Sequence, residues 1–276
     1  LLLPVVEEER AGRLVRRCDF TVQAGDHLAL VSESYIGVPG GTRAWSWRDA
    51  ALSVRRLTAT GCDAEQLAGA LVRMARQRVG KSANRQVEGL AMPDTQSPIS
   101  VLALFVRPMR TATVWSGPPA NRRKDPEALA RLMAEEGMRI ICGDTTAQIA
   151  VRLLNAALIL DPRPADGWRE VPPTSRLVTP DGAMPVALVT EGVVTLRVAA
   201  DRLAAAKRPH ELVGRADGAS RLAKLLLESD KVTFLVGLAV NPAQTERDGT
   251  PLRKGAIARL VEVLRPRGKV VEVEYL

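Results

Sequence analysis

RIICGDTTAQI, residues 139–149, is the stretch whose reading decides the fold of the larger part of this chain. Arg139–Cys142 reads as a short core strand. Gly143-Asp144 turns the chain, and the spacing predicts a helix over Thr145–Asn155. Strand, tight turn and helix form the unit from which parallel sheets are assembled.

That unit recurs on both sides of the stretch. Upstream, Ala112–Trp115 reads as a strand and Pro126–Glu136 as a helix. Downstream come strand Ala157–Leu160, a Pro-rich loop over Pro162–Pro173, strand Val186–Thr190 and helix Leu196–Ala206. Helix Gly218–Glu228, strand Val232–Val236, helix Leu252–Leu264 and strand Val270–Tyr275 complete it. Alternation of this kind predicts a Rossmann-like α/β domain, a mostly parallel sheet with helices on both faces. There is no internal repeat.

Before Pro108 the pattern differs. Leu1–Leu3, Leu14–Phe20 and His27–Ser32 read as strands, the last after the turn Ala24-Gly25-Asp26. Two helices follow, Trp47–Leu57 and Ala64–Arg78. Asp63 caps the second, and Leu67, Leu71 and Met74 share one of its faces. A polar loop over 80–98 leads into a β-branched core strand, Ile99–Val106. This part is α+β, and two domains are expected, 1–107 and 108–276.

Composition narrows the function classes. The chain has 276 residues, 46% hydrophobic and 25% charged, which is ordinary for a soluble globular protein. No apolar run reaches the roughly 18 residues of a membrane span, so no membrane partner is expected. The opening LLLPVVEEER has no signal-peptide pattern and no initiator Met, and the expectation is a piece of a longer protein. Three scattered cysteines, with no C-x-x-C pair, point to reduced thiols and a cytoplasmic location. The net charge of +8 admits nucleic acid, but the basic residues are interspersed with acids and aromatics are only 3%. No stacking platform is evident, and nucleic-acid binding is not expected.

Four strand ends of the second domain carry polar or turn-forming residues: Ser116-Gly117-Pro118-Pro119, Gly143-Asp144-Thr145-Thr146, Thr190-Glu191-Gly192 and Asn241-Pro242. Each by itself reads equally as an ordinary turn or helix cap. Together they favour function, because the carboxyl ends of parallel strands lie along one edge, where ligands bind. Gly143, Asp144, Thr145, Thr146, Glu191, Gly192 and Asn241 are the candidate ligand-binding residues. No G-x-G-x-x-G or Walker motif is present. Asp144 would repel a phosphate, so a ribose, an amine or a cation is also possible as ligand. Arg122-Arg123-Lys124 reads as a solvated loop, and Trp45 and Trp47 as core anchors.

In the first domain, LALVSESYIGVPGG (28–41) brings a core strand to a carboxylate, Glu33, and Met92-Pro93-Asp94-Thr95 leads an acid into the closing strand. Read alone, Glu33 is a solvated strand end and Asp94 a turn residue.

Taken in order, VQAGDHLALVSESYIGVPGG, the tryptophan-bearing helix, the second helix and the acid-led closing strand resemble the C-terminal half of a known family. That family is the metal-dependent serine/threonine protein phosphatases, in the branch of the stage II sporulation protein E. Its segment runs PGD, an apolar strand, then SDG, with a DD pair entering the last strand. The resemblance spans roughly residues 1–107. It implies an α-β-β-α sandwich in which acids at strand ends hold two Mn²⁺ or Mg²⁺ ions, hard cations that clamp a phosphate and activate water. Glu33 stands where the family has its metal-binding Asp, and Ser34 where it has Gly. Asp94 stands near the DD pair, with one acid lost. The family's N-terminal half carries further ligands, and nothing here matches it. Segments similar to SGPP, CGGTT and TEG follow the phosphatase module in bacterial members of this branch; here the second reads Gly143-Asp144-Thr145-Thr146.

The resemblance implies a signalling phosphatase, a hydrolase acting on a phosphoprotein, incomplete or degenerate in this chain. Glu33 and Asp94 are its candidate surviving metal ligands. The alternative is a non-catalytic regulatory module that binds a phosphoprotein or a nucleotide-like small molecule.

Overall fold

The computed structural model describes residues 5–36, 46–83, 98–162, 171–206, 209–212, 217–240 and 251–276. The chain divides into two compact units, Leu1–Pro108 and Met109–Leu276.

The first unit begins with a hairpin, β1 (Val6–Arg10) and β2 (Arg13–Arg17). Its two-residue turn is Ala11-Gly12, both with positive φ, the geometry that matches the natural twist of paired strands. Strand β1 escapes the sequence reading because Glu7-Glu8-Glu9 looks like a polar terminus. In the hairpin, Glu7 faces Arg16 and pairs with it at 2.9 Å. Leu1–Leu3 lies outside the described residues.

Strand β3 (His27–Val31) pairs antiparallel with β4 (Val101–Phe105). Between them come a single turn of helix, α1 (Glu33–Ile36), then α2 (Trp47–Thr58) and α3 (Ala64–Ala83). Ser46 and Asp49 form a reciprocal capping box that starts α2. The side chains alternate along the strands. Ala29, Val31, Val101 and Ala103 pack under Tyr35, Ala50, Leu67, Leu71 and Ala75. His27 stacks on Phe105 at 4.2 Å, and its Nε2 contacts the Cys62 carbonyl at 2.9 Å, which makes it a structural histidine. Trp47 corrects an expectation. It occupies the first helical position, one turn ahead of the first buried residue, Ala50, and is 67% exposed rather than a core anchor. Trp45 lies outside the described residues.

The second unit is built on a mixed α/β sheet of seven strands, β5 (Thr111–Ser116) to β11 (Val270–Tyr275). Between those two come β6 (Met138–Cys142), β7 (Ala157–Leu160), β8 (Ser175–Val178), β9 (Leu188–Thr190) and β10 (Lys231–Val236). The spatial order is β11-β10-β5-β6-β9-β8-β7. The five strands from β11 to β9 run parallel, whereas β8 is antiparallel to both its neighbours. The sequence reading missed β8: four residues, one of them the exposed Arg176, follow a proline pair and give too short a pattern to recognise.

Helices α4 (Asp125–Met133) and α5 (Asp144–Leu154) cover one face. Helices α6 (Val193–Ala205), α7 (Gly218–Glu228) and α8 (Leu252–Leu264) cover the other. Period-2 alternation explains why both faces are apolar: Val114, Ile140 and Phe234 meet α6–α8, while Trp115, Ile141 and Leu235 meet α4 and α5. Chain order places a topological switch at β5. The chain leaves β5 for β6 on one side and returns as β10 on the other, so the connections diverge and leave a crevice at the carboxyl ends.

Candidate functional site

The register of the parallel strands fixes the rim of that crevice. Val236, Ser116, Cys142 and Thr190 form one row across β10, β5, β6 and β9. The next residue of each strand is therefore Gly237, Gly117, Gly143 and Glu191. Three glycines and one carboxylate stand side by side where four strands end.

Gly237 is required by close approach of backbone, and Gly117 by its positive φ of 84°. A Cβ on Gly237 would overlap the carbonyl oxygens of Gly117 and Pro118, and a Cβ on Gly117 would fall inside the Arg253 guanidinium. Gly143 and Gly192, with φ of 137° and 144°, pack backbone to backbone at the starts of α5 and α6. Two bonds of 2.9 Å tie them: the Gly143 N–H donates to the Thr190 carbonyl, and the Asp144 N–H to the Glu191 carbonyl.

The resulting crevice has a volume of about 930 Å³, within the range of small-molecule sites. Six of the seven candidate ligand-binding residues line it: Gly143, Asp144, Thr145, Thr146, Glu191 and Gly192. Asn241 lies outside the described residues. Thr145 and Glu191 are thus on the same edge of the sheet. One expected detail is corrected. Helix α5 has no threonine cap; it begins at Asp144 after an uncapped Gly143. The Thr146 hydroxyl instead accepts the Gly117 N–H at 2.9 Å. It thereby joins the ends of β5 and β6.

The electrostatics are unequal along the crevice. Burial pushes the Glu191 carboxyl above its ordinary range, and the Asp144 charge adds to this. Its Oε2 is buried without a hydrogen-bond partner among the described residues. Burial raises Asp144 as well. These two acids hold a proton more readily than free carboxylates do. Cys142 beneath them is no nucleophile. Burial, slightly offset by the Thr190 hydroxyl and reinforced by the Glu191 charge, pushes its thiol up to about 12.

Residues outside the four strand-end motifs complete the site. Arg152 pairs with buried Asp125 at 2.8 Å, and both line the crevice. Arg253, in the first turn of α8, is only 6% exposed and donates to the carbonyls of Gly237 (2.9 Å) and Ala239 (3.2 Å). A cation in a helix's first turn opposes the helix dipole, and that anomaly was the readable signal for Arg253. Arg122, read as part of a solvated loop, is exposed on the turn Arg122–Lys124 and also lines the crevice.

In the first unit Glu33 is exposed at the start of α1, one residue beyond Ser32, and Asp94 lies outside the described residues. Among the described residues no three His, Cys, Asp or Glu side chains converge as metal ligands. The described acids of this unit do not by themselves supply the ligands of a binuclear centre. No helix among the described residues is long and apolar enough to cross a membrane. No protein-family model, curated protein or solved structure matches the chain.

Proposed function

We propose that residues 109–276 form a ligand-binding module that holds a small polar molecule in the crevice at the carboxyl edge of the sheet. The observation that carries this reading is the rim row Gly237, Gly117, Gly143 and Glu191. Glycines there let a ligand approach the backbone, and a single carboxylate orients it. The module acts by binding. The test is amide chemical-shift mapping by NMR with a panel of sugars, nucleotides, amino acids and polyamines. Perturbation of the Gly117, Gly143, Gly192 and Gly237 amides by at least one compound is expected. Silence across the panel, or shifts confined to other regions, would remove the reading.

A second reading concerns the first unit, which we propose to be a partial phosphatase-like layer of the stage II sporulation protein E type. It is supported by the two faces of the β3–β4 pair. One face is covered by α2 and α3. The opposite face presents Leu30, Leu102 and Leu104, each about half exposed, which is the kind of surface a second sheet covers in a sandwich. Catalysis would need metal ligands beyond the two acids that match. The 276-residue chain is accordingly expected to hydrolyse p-nitrophenyl phosphate little or not at all, and to give no tight two-ion Mn²⁺ isotherm. Robust turnover abolished by Glu33→Ala would instead make Glu33 a working ligand of a complete site.

A further inference from the structure

The crevice is bipolar, and its two ends are separated by a known amount of sheet. At one end stand Glu191 and Asp144, at the carboxyl ends of β9 and β6. Away from them stands Arg253, against Gly117 and bonded to the Gly237 carbonyl, and Arg122 also lines the crevice. Among the described residues neither guanidinium has a carboxylate partner. Arg152, by contrast, is committed to Asp125. A buried cation held only by carbonyls is costly unless an anion completes it, and burial already weakens the hold of Arg253 on its proton. Its guanidinium lies where a side chain on Gly117 would stand, and it is tied to the Gly237 and Ala239 carbonyls.

We infer that the ligand of this crevice is a phosphorylated sugar, free or as part of a nucleotide, with its phosphate on Arg253 and Arg122 and its hydroxyls on Glu191 and Asp144. This deepens the ligand-binding reading proposed above and rests on it. The strand spacing sets the length. Gly117 on β5 and Glu191 on β9 are two strands apart, roughly 10 Å. About 3 Å of hydrogen-bond reach at each end leaves a few ångströms between the phosphate and the hydroxyls, the span of a pentose or hexose phosphate. A carboxylate that accepts from vicinal hydroxyls is how open α/β sheets hold ribose. The open helix N-terminus of α5 is not the phosphate site, because Asp144 already occupies its first turn and would repel a dianion.

The experiment is isothermal titration of the whole 276-residue chain with ribose 5-phosphate, AMP, ribose and inorganic phosphate. Ribose 5-phosphate or AMP is expected to bind about tenfold or more tighter than ribose or phosphate alone, the size of a charge-assisted contact. Tighter binding of AMP than of ribose 5-phosphate identifies a nucleotide, and the reverse a free sugar phosphate. Arg122→Ala, a surface change that leaves folding intact, and Arg253→Lys should each weaken the phosphorylated ligand without weakening ribose. Glu191→Gln should weaken both. The inference is overturned if ribose binds as well as ribose 5-phosphate, if inorganic phosphate alone matches it, or if none of the four probes binds. In each case the broader ligand-binding reading is decided separately, by the amide shifts of the wider panel.

Discussion

Replacing Asp217 by alanine is expected to lower the stability of the second unit by about 3–5 kcal/mol, the usual cost of removing one member of a buried ion pair. Asp217 is the N-cap of α7 and is 3% exposed at its side chain. One of its oxygens accepts from the N–H groups of Ala219 (3.0 Å) and Ser220 (3.1 Å) and from the guanidinium of buried Arg202. Arg202 belongs to α6, so one carboxylate starts one helix and fastens it to another. The alanine variant removes the cap and takes the carboxylate away from the buried Arg202 guanidinium, which keeps its bond to the Ser220 hydroxyl (2.7 Å). Such a loss is a large fraction of the total for a domain of this size. Asparagine keeps a capping oxygen and should cost less. Native-state hydrogen exchange at the β10 amides reports this unit separately. A loss under about 1 kcal/mol, no more than an ordinary cap provides, would show that the ion pair contributes nothing.

The same group makes the unit acid-labile. Burial by itself would raise the Asp217 carboxyl. The Ser220 N–H, the Arg202 guanidinium and the Ala219 N–H outweigh burial and hold it below the ordinary carboxylate range. A folded-state value below the unfolded one, about 3.9, means that the stabilisation is complete above that pH. It is lost as the pH falls through the lowered folded value. The alanine variant should lack this acid limb of the stability profile.

The second large effect is expected from Gly237→Ala. The added methyl has no open space, because the carbonyl oxygens of Gly117 and Pro118 occupy its position. These are backbone atoms of an adjacent strand end and cannot swing aside as a side chain would. The ends of β10 and β5 must move apart, at an overpacking cost of about 1–3 kcal/mol or more. The Gly237 N–H bond to the Ser116 carbonyl (2.9 Å) and the Arg253 bond to the Gly237 carbonyl lie in the same place and would stretch with it. Denaturant unfolding measures the loss, and titration of any crevice ligand should show weakened binding in the same variant. Unchanged stability would mean that the rim is looser than its geometry indicates.

How much of this was legible before folding can be judged residue by residue. The parallel strands of the second unit announce themselves, because burial on both faces demands nearly continuous apolar runs such as Val232–Val236, broken only by Thr233. The candidate residues of the crevice were legible for the same reason: a run that ends at Gly143 or Glu191 marks a strand end. The antiparallel β8 was not legible, since four residues beside a proline pair carry too little pattern. Strand β1 was hidden because its glutamates find partners only once the hairpin forms. Trp47 misled because a tryptophan's size says nothing about whether its helix position meets a neighbour.

What the sequence determined by itself is periodicity and punctuation: which segments are strands or helices, where each ends, and that parallel ends share an edge. Those properties are local, set by side-chain alternation and turn chemistry within a few residues. Tertiary structure alone decided which ends stand beside which. The row Gly237–Gly117–Gly143–Glu191 spans 121 positions of chain, counted from Gly117 to Gly237 inclusive, and exists only because β10 returns to pair with β5. Arg253 is the sharpest case. In sequence it is an arginine near a helix start. Only the β10–β5 pairing brings Gly117 and the Gly237 carbonyl to its guanidinium and makes it a buried cation lining the same crevice as Asp144 and Glu191.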